Sequence, residues 1–413
     1  MIDLTRFIRP GDGVWWSQTS AEPTPLVHAL LDQVARIGSV RAFVGMSWDE
    51  RLSSDPPEEL QVLSYGALGA LRKLSRSGRL EIVPCNYSGL PTMFARGELP
   101  HDVGFVQVSP PDADGYCTLG TGVDYIADAV EHTPVLIAEI NRRMPATRGS
   151  VRIALDRFAA TVETDRPLLT VPAARVTDVE RTIASFVSDL IDDGDTLQIG
   201  VGALPDAVLE QLDGRADLGV HSGMITDGIV RLMRAGVITG ARKEIDMGLV
   251  VAGAALGTGA LYDSVSDLPI EFRAASYTHD PAVLSRLRSL VAVNSAIEVD
   301  LSGQVNSETR GGAYIGAVGG QADFSRAASL SGSLSIIALR ARSGERSTIV
   351  ASLAGGPVST SRTDVDAVVT EFGVAHLRGQ GFAERARRLT AIAAPEFRAD
   401  LDRASGLAAA LSA

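Results

Sequence analysis

Cysteine is nearly missing. Cys85 and Cys117 are the only two in 413 residues, so neither a disulfide framework nor a thiolate metal cluster is encoded. Basic residues are in deficit, 38 Lys and Arg against 50 Asp and Glu, for a net charge of −12. No basic block offsets that balance, which argues against nucleic acid as a partner. Long apolar runs are missing too. The longest, around residues 248–262, is too short and too glycine-rich to cross a bilayer, so no membrane partner is expected. No basic segment leads into an apolar core near Met1, so no secretory leader is expected, and a reducing cytoplasm is the expected location. His28 falls on a helical pattern, while His101, His132 and His376 lack partners at ligand spacing. No metal is expected.

What is abundant is glycine, at 41 residues, beside an apolar content of 45% and few aromatics, at 5%. Such a chain is long enough for two or three domains and rich in the tight turns of α/β proteins. Its segments alternate accordingly. Residues 25–37 carry Leu26, Leu30, Leu31 and Val34 at helical spacing, whereas 40–44, 80–84, 103–108 and 135–140 read as strands. Residues 67–74 read as a helix. Residues 167–174 read as a linker, and Thr177 and Glu180 stand in capping-box register at the head of a helix over 179–192. Strands then recur at 270–276, 290–293, 335–339, 348–353 and 367–370, with helices at 281–288, from Phe382 and from Pro395. Strands separated by helices predict mostly parallel sheets.

The stretch 198–227 organises the second half. Strand residues Thr196–Ile199 run into Gly200 and Gly202, whose missing side chains allow a close backbone approach to a ligand. A helix over 206–212 is expected to start beside Pro205 and to aim its free N–H groups at that ligand. A second strand, 218–220, brings His221, Ser222 and Gly223 to the same edge. A strand–glycine–helix turn taken alone is equally compatible with a purely structural turn.

Taken together, the motifs resemble the acetyl-CoA hydrolase/transferase family, the family I CoA-transferases that include 4-hydroxybutyrate CoA-transferases. The matching phrases are the Gly200 to Val208 loop, Ala21-Glu22-Pro23, Val108-Ser109-Pro110-Pro111-Asp112 with Gly115-Tyr116-Cys117, and Asn141 to Pro145. The Gly316 to Phe324 glycine loop and Thr370-Glu371-Phe372-Gly373 complete the set. The resemblance implies two open α/β domains, residues 1–172 and 173–413, with the active site in the cleft between them. It also implies that CoA is a substrate moiety rather than a bound cofactor. The implied partners are an acyl-CoA and a small carboxylate or water, with a second copy of the chain making a homodimer.

Residue by residue, the resemblance marks Glu371, Glu308 and Glu22 as candidate catalytic groups, and His279, a departure from the family pattern, joins them as a candidate that could activate water. It assigns CoA or substrate contacts to Gly200, Val201, Gly202, Ala203, Leu204, His221, Asn294, Gly319 and Gly320, while Arg340, Arg342 or Arg346 of a charged turn are candidates for CoA phosphates, with a merely solvated turn the equal alternative. One position departs from the family pattern. The family's His-Thr-Glu-Met carries the nucleophilic glutamate, and this chain reads His221-Ser222-Gly223-Met224. His279 likewise stands where family members commonly carry Asn, and the 340–346 turn lacks the family's lysine. Covalent catalysis needs the atom that forms the bond, and Gly223 has none. Three readings stay open: thioester chemistry without a glutamyl intermediate, CoA transfer through another carboxylate, and acyl-CoA binding without catalysis.

Overall fold

The computed structural model describes residues 2–172 and 174–411. Two large sheets dominate it. In the first, the strands run from edge to edge as Leu80–Ile82, Leu60–Ser64, Val40–Val44, Gly13–Trp16, Val103–Val108, Val135–Asn141 and Phe158–Thr164. All six neighbouring pairs are parallel. The second sheet runs Ile270–Phe272, Val250–Ala255, Gly219–Ile225, Thr196–Ile199, Leu290–Ser295, Leu334–Ala338, Ala367–Thr370 and Gly373–His376, and only its last pair is antiparallel. The central strands are buried on both faces, as the run Val103 to Val108 illustrates, which is why they read as unbroken apolar stretches.

Both sheets follow one plan. Each starts in the middle, grows to one edge through three further strands, then returns to add the rest on the other side. The order therefore reverses beside Gly13–Trp16 in one sheet and beside Thr196–Ile199 in the other. Open α/β sheets hold ligands outside the carboxyl ends of strands at such a reversal. Here the two reversals open onto one cleft.

Several elements differ from the sequence expectation. The helix expected at 206–212 spans Ala203–Glu210, because Gly202, at φ +125°, turns the chain one residue before it. The strand expected at 218–220 continues as Gly219–Ile225, so Gly223 lies inside a paired strand rather than on a loop. The strand expected at 270–276 stops at Phe272, and Ala275–Thr278 is a helical turn. The helix expected at 67–74 spans Leu71–Arg76. Thr177 and Glu180 form the capping box of the helix Asp178–Ser188. No helix among the described residues is long and apolar enough to cross a membrane.

Candidate active site

The cleft between the sheets holds about 390 Å³. The first half contributes Gln18, Met46, Tyr65, Tyr87 and Asp124, each just beyond a strand or at a helix start. The second contributes Gly200, Val201, Gly223, His279, Asn294 and the glycine turn 316–320. Asp124 is the one acidic side chain on this wall among the described residues.

Its geometry is unusual. Asp124 opens the helix Asp124–His132 with φ +21°, a conformation that strains a residue with a Cβ. It is only 2% exposed. Oδ2 accepts from Gln18 Nε2 at 2.8 Å and Oδ1 from the Ile126 N–H at 3.1 Å. Burial outweighs these donors and pushes the carboxyl up to about 6. A Cβ added at Gly253 would stand 3.1 Å from Asp124 Cβ and 2.8 Å from the Gly223 carbonyl oxygen. Asp124 is thus packed against the strand Val250–Ala255, the neighbour of the strand that carries Gly223.

Gln18 organises the floor. Its amide nitrogen donates to Tyr87 Oη and to Asp124, while its oxygen accepts from the Met46 N–H and from Tyr65 Oη. The Tyr87 oxygen is therefore an acceptor, and its own proton has no acceptor among the described residues. That O–H is a free donor at the cleft. Across from it, no hydrogen bond among the described residues uses the N–H of Gly319 or Gly320. Gln321, at the start of the next helix, also keeps a buried Nε2 without a partner. Donors without partners that line one cleft suit a developing oxyanion.

His279 fills the space beside Gly223. Its ring lies 4.6 Å from the Tyr87 ring and 4.9 Å from the Phe324 ring, centroid to centroid. A Cβ built on Gly223 would fall 3.1 Å from both Cε1 and Nε2, and one on Gly320 only 2.5 Å from Nε2. Thr278 Oγ1 donates its one proton to the Ala274 carbonyl, so it accepts from His279 Nδ1–H at 2.9 Å. Nε2 is then the unprotonated nitrogen, with no partner among the described residues. Burial holds the imidazole down to about 3, which makes it a weak base next to Asp124.

The three glutamates expected to be catalytic are not on the cleft wall. Glu22 is buried, takes bonds from Ser47 Oγ at 2.5 Å and the Trp48 N–H at 3.2 Å, and is pushed up to about 7 by burial. Glu308 accepts from Tyr314 Oη and Ser359 Oγ. Glu371 accepts from the Ala341 N–H at 2.7 Å and so ties down the neighbouring 340–346 turn. All three are occupied with holding the chain. Accordingly Glu371→Gln, which keeps an acceptor oxygen, is expected to leave turnover within about threefold of wild type and to cost about 1 kcal/mol of stability. A steady-state assay and a urea melt check it, and a hundredfold loss of turnover would return Glu371 to the chemistry.

The expected binding residues divide. Gly200, Val201, Asn294, Gly319 and Gly320 line the cleft, and Asn294 exchanges two amide hydrogen bonds with Gln198. His221 is fully buried behind it, bonded through Nε2 to the Thr278 carbonyl. Gly202 faces a separate cavity of about 380 Å³. Ala203 begins the helix, and Leu204 and Arg342 line a third cavity. Sequence reasoning missed Asp124, Gln18 and Tyr87, which lie up to 106 residues apart. Among the described residues no cluster of His, Cys, Asp and Glu could hold a metal ion.

The two-sheet α/β architecture with a shared crevice defines the structural class. Residues 2–171 match the acetyl-CoA hydrolase/transferase N-terminal domain, and residues 257–405 match the corresponding C-terminal domain. The chain belongs to the acetyl-CoA hydrolase/transferase family, and is an enzyme. It is 43% identical to a 4-hydroxybutyrate coenzyme A transferase of Clostridium kluyveri over 395 residues, 94% of this chain and 92% of that one. It is 34% identical to a succinyl-CoA:cyclohexane-1-carboxylate CoA transferase of Geobacter metallireducens, over 98% of this chain and 94% of that one. Among solved structures, RipA from Yersinia pestis superposes with a TM-score of 0.89 at 33% identity, covering 98% of this chain and 95% of that one. A 4-hydroxybutyrate CoA-transferase from Porphyromonas gingivalis gives 0.80 at 35% identity, over 97% and 94%.

Proposed function

We propose that the enzyme hydrolyses an acyl-CoA thioester directly, without a glutamyl-CoA intermediate. The observation that carries this reading is the cleft wall around Gly223. It offers an imidazole where a glutamate side chain would need room, and Asp124 is its one acid among the described residues. In this scheme Asp124 takes a proton from water as the water oxygen attacks the thioester carbonyl. The oxyanion is held by the N–H groups of Gly319 and Gly320 and the Tyr87 O–H. The C–S bond then breaks, CoA leaves as its thiolate, and the acid is released. With a carboxyl at about 6, Asp124 is largely ionised at neutral pH and still basic enough to accept that proton. His279, at about 3, serves as a hydrogen-bond acceptor that orients the water.

CoA transfer is the second reading, favoured by the 43% identity to a named CoA transferase. One experiment separates the two. Acyl-CoAs of increasing chain length are incubated in ¹⁸O-water with and without acetate, and free CoA, new thioesters and isotope in the acid are followed. Hydrolysis predicts ¹⁸O in the released acid and no acetyl-CoA. Acetyl-CoA forming at the rate of acyl-CoA loss would overturn the hydrolytic reading and establish transfer.

A further inference from the structure

We propose that Arg72, Arg76 and Arg310, contributed by both halves of the chain, form the site for the phosphorylated nucleotide end of coenzyme A. This rests on the reading that the cleft takes an acyl-CoA. The cleft does not end at Gly316. A fourth cavity, about 460 Å³, shares Arg72, Ser295, Ser307 and Gly316 with it and is lined further out by Arg76 and Arg310. Beyond Arg310 it continues into the third cavity, of about 300 Å³. A narrow arm reaching the reacting centre and a charged head outside it would fit such a path.

The charge along the path is unbalanced, although the chain as a whole carries −12. Arg76 and Arg310 make no ion pair and no side-chain hydrogen bond among the described residues. Arg72 uses only Nε, which donates to the Ile315 carbonyl at 3.0 Å and pins the helix Leu71–Arg76 to the second half. Its two terminal nitrogens stay open. Arg346 adds a fourth charge, 3.8 Å from a Cβ built at Gly311. Arg340 and Arg342, two of the three arginines the sequence offered for this role, are already paired with Glu180 at 2.5 Å and Glu396 at 3.2 Å. Unpaired guanidinium forks are the side chains best matched to phosphate oxygens.

The test is calorimetric titration of the whole protein with coenzyme A, dephospho-coenzyme A, pantetheine and ADP. Arg76→Glu and Arg310→Glu, both at exposed positions away from the cleft floor, are each expected to weaken coenzyme A by about tenfold. Pantetheine affinity should stay unchanged, and dephospho-coenzyme A should lose less than coenzyme A does. Unaltered melting temperatures confirm the fold. If wild type binds coenzyme A and both variants bind it equally well, the arginine site is wrong while the acyl-CoA reading stands. If wild type binds no coenzyme A at all, both fall. ADP binding as tightly as coenzyme A would make this a nucleotide site unconnected to the cleft, which also overturns the proposal.

Discussion

Asp124→Asn is expected to lower acyl-CoA turnover by about a thousandfold, inside the range spanned by positioned acid–base groups. The pH profile is the sharper readout. A base must be ionised to act, and burial raises this carboxyl from its ordinary 3.8 to about 6. Wild-type kcat/KM should therefore be level above pH 6 and fall about tenfold per unit below it. The variant should lack that limb. The same shift has a stability sign. Because the folded chain holds this proton more tightly than the unfolded one, stability should decline as pH rises from about 4 to 6. Unchanged turnover in the variant, with the acid limb intact, would place the base elsewhere.

Gly223→Glu alone is expected to form little or no glutamyl-CoA. Its Cβ would arrive 3.1 Å from the His279 ring, which Tyr87 and Phe324 hold from two sides and Gly320 from a third. The ring cannot withdraw cheaply. The pair Gly223→Glu with His279→Asn removes the obstacle and returns both positions to the residues of the family pattern. It should yield a borohydride-trappable CoA adduct on residue 223 and acetate-dependent exchange about a hundredfold above the single variant, since misplacement by about 1 Å costs that much. Peptide mass spectrometry decides. An adduct equally abundant in the single variant would show that His279 yields freely, and an adduct on any glutamate of the unaltered protein would restore the transferase reading.

The fold was largely written in local patterns. Val103–Val108 and Ala367–Thr370 are apolar runs of strand length and form strands over those residues. The glycine loops were legible as well, because close backbone approach leaves its mark in the residue type itself. The acid–base residues were not. Glu22, Glu308 and Glu371 drew attention through the motifs that carry the family resemblance, but the atoms that occupy them come from Ser47, Tyr314, Ser359 and Ala341. Only tertiary packing brings these partners together. Asp124 follows Thr121-Gly122-Val123, outside every motif singled out in the sequence. Its importance comes from Gln18, 106 residues away, and from a backbone angle that no sequence pattern announces.

The shared strand plan of the two sheets has a consequence for how such an enzyme diversifies. One half offers Gln18, Met46, Tyr65, Tyr87 and Asp124 to the cleft, and the other offers His279 and Asn294 together with the glycine turns at 200–201 and 316–320. Exchanges at Met46 or Leu68 can reshape the room for the acyl group without disturbing the amides that face the thioester. A side chain at Gly320 has no such freedom, since its Cβ would stand 2.5 Å from His279 Nε2. New acyl groups should therefore be admitted through exchanges at positions such as Met46, while a side chain at Gly320 should cost activity.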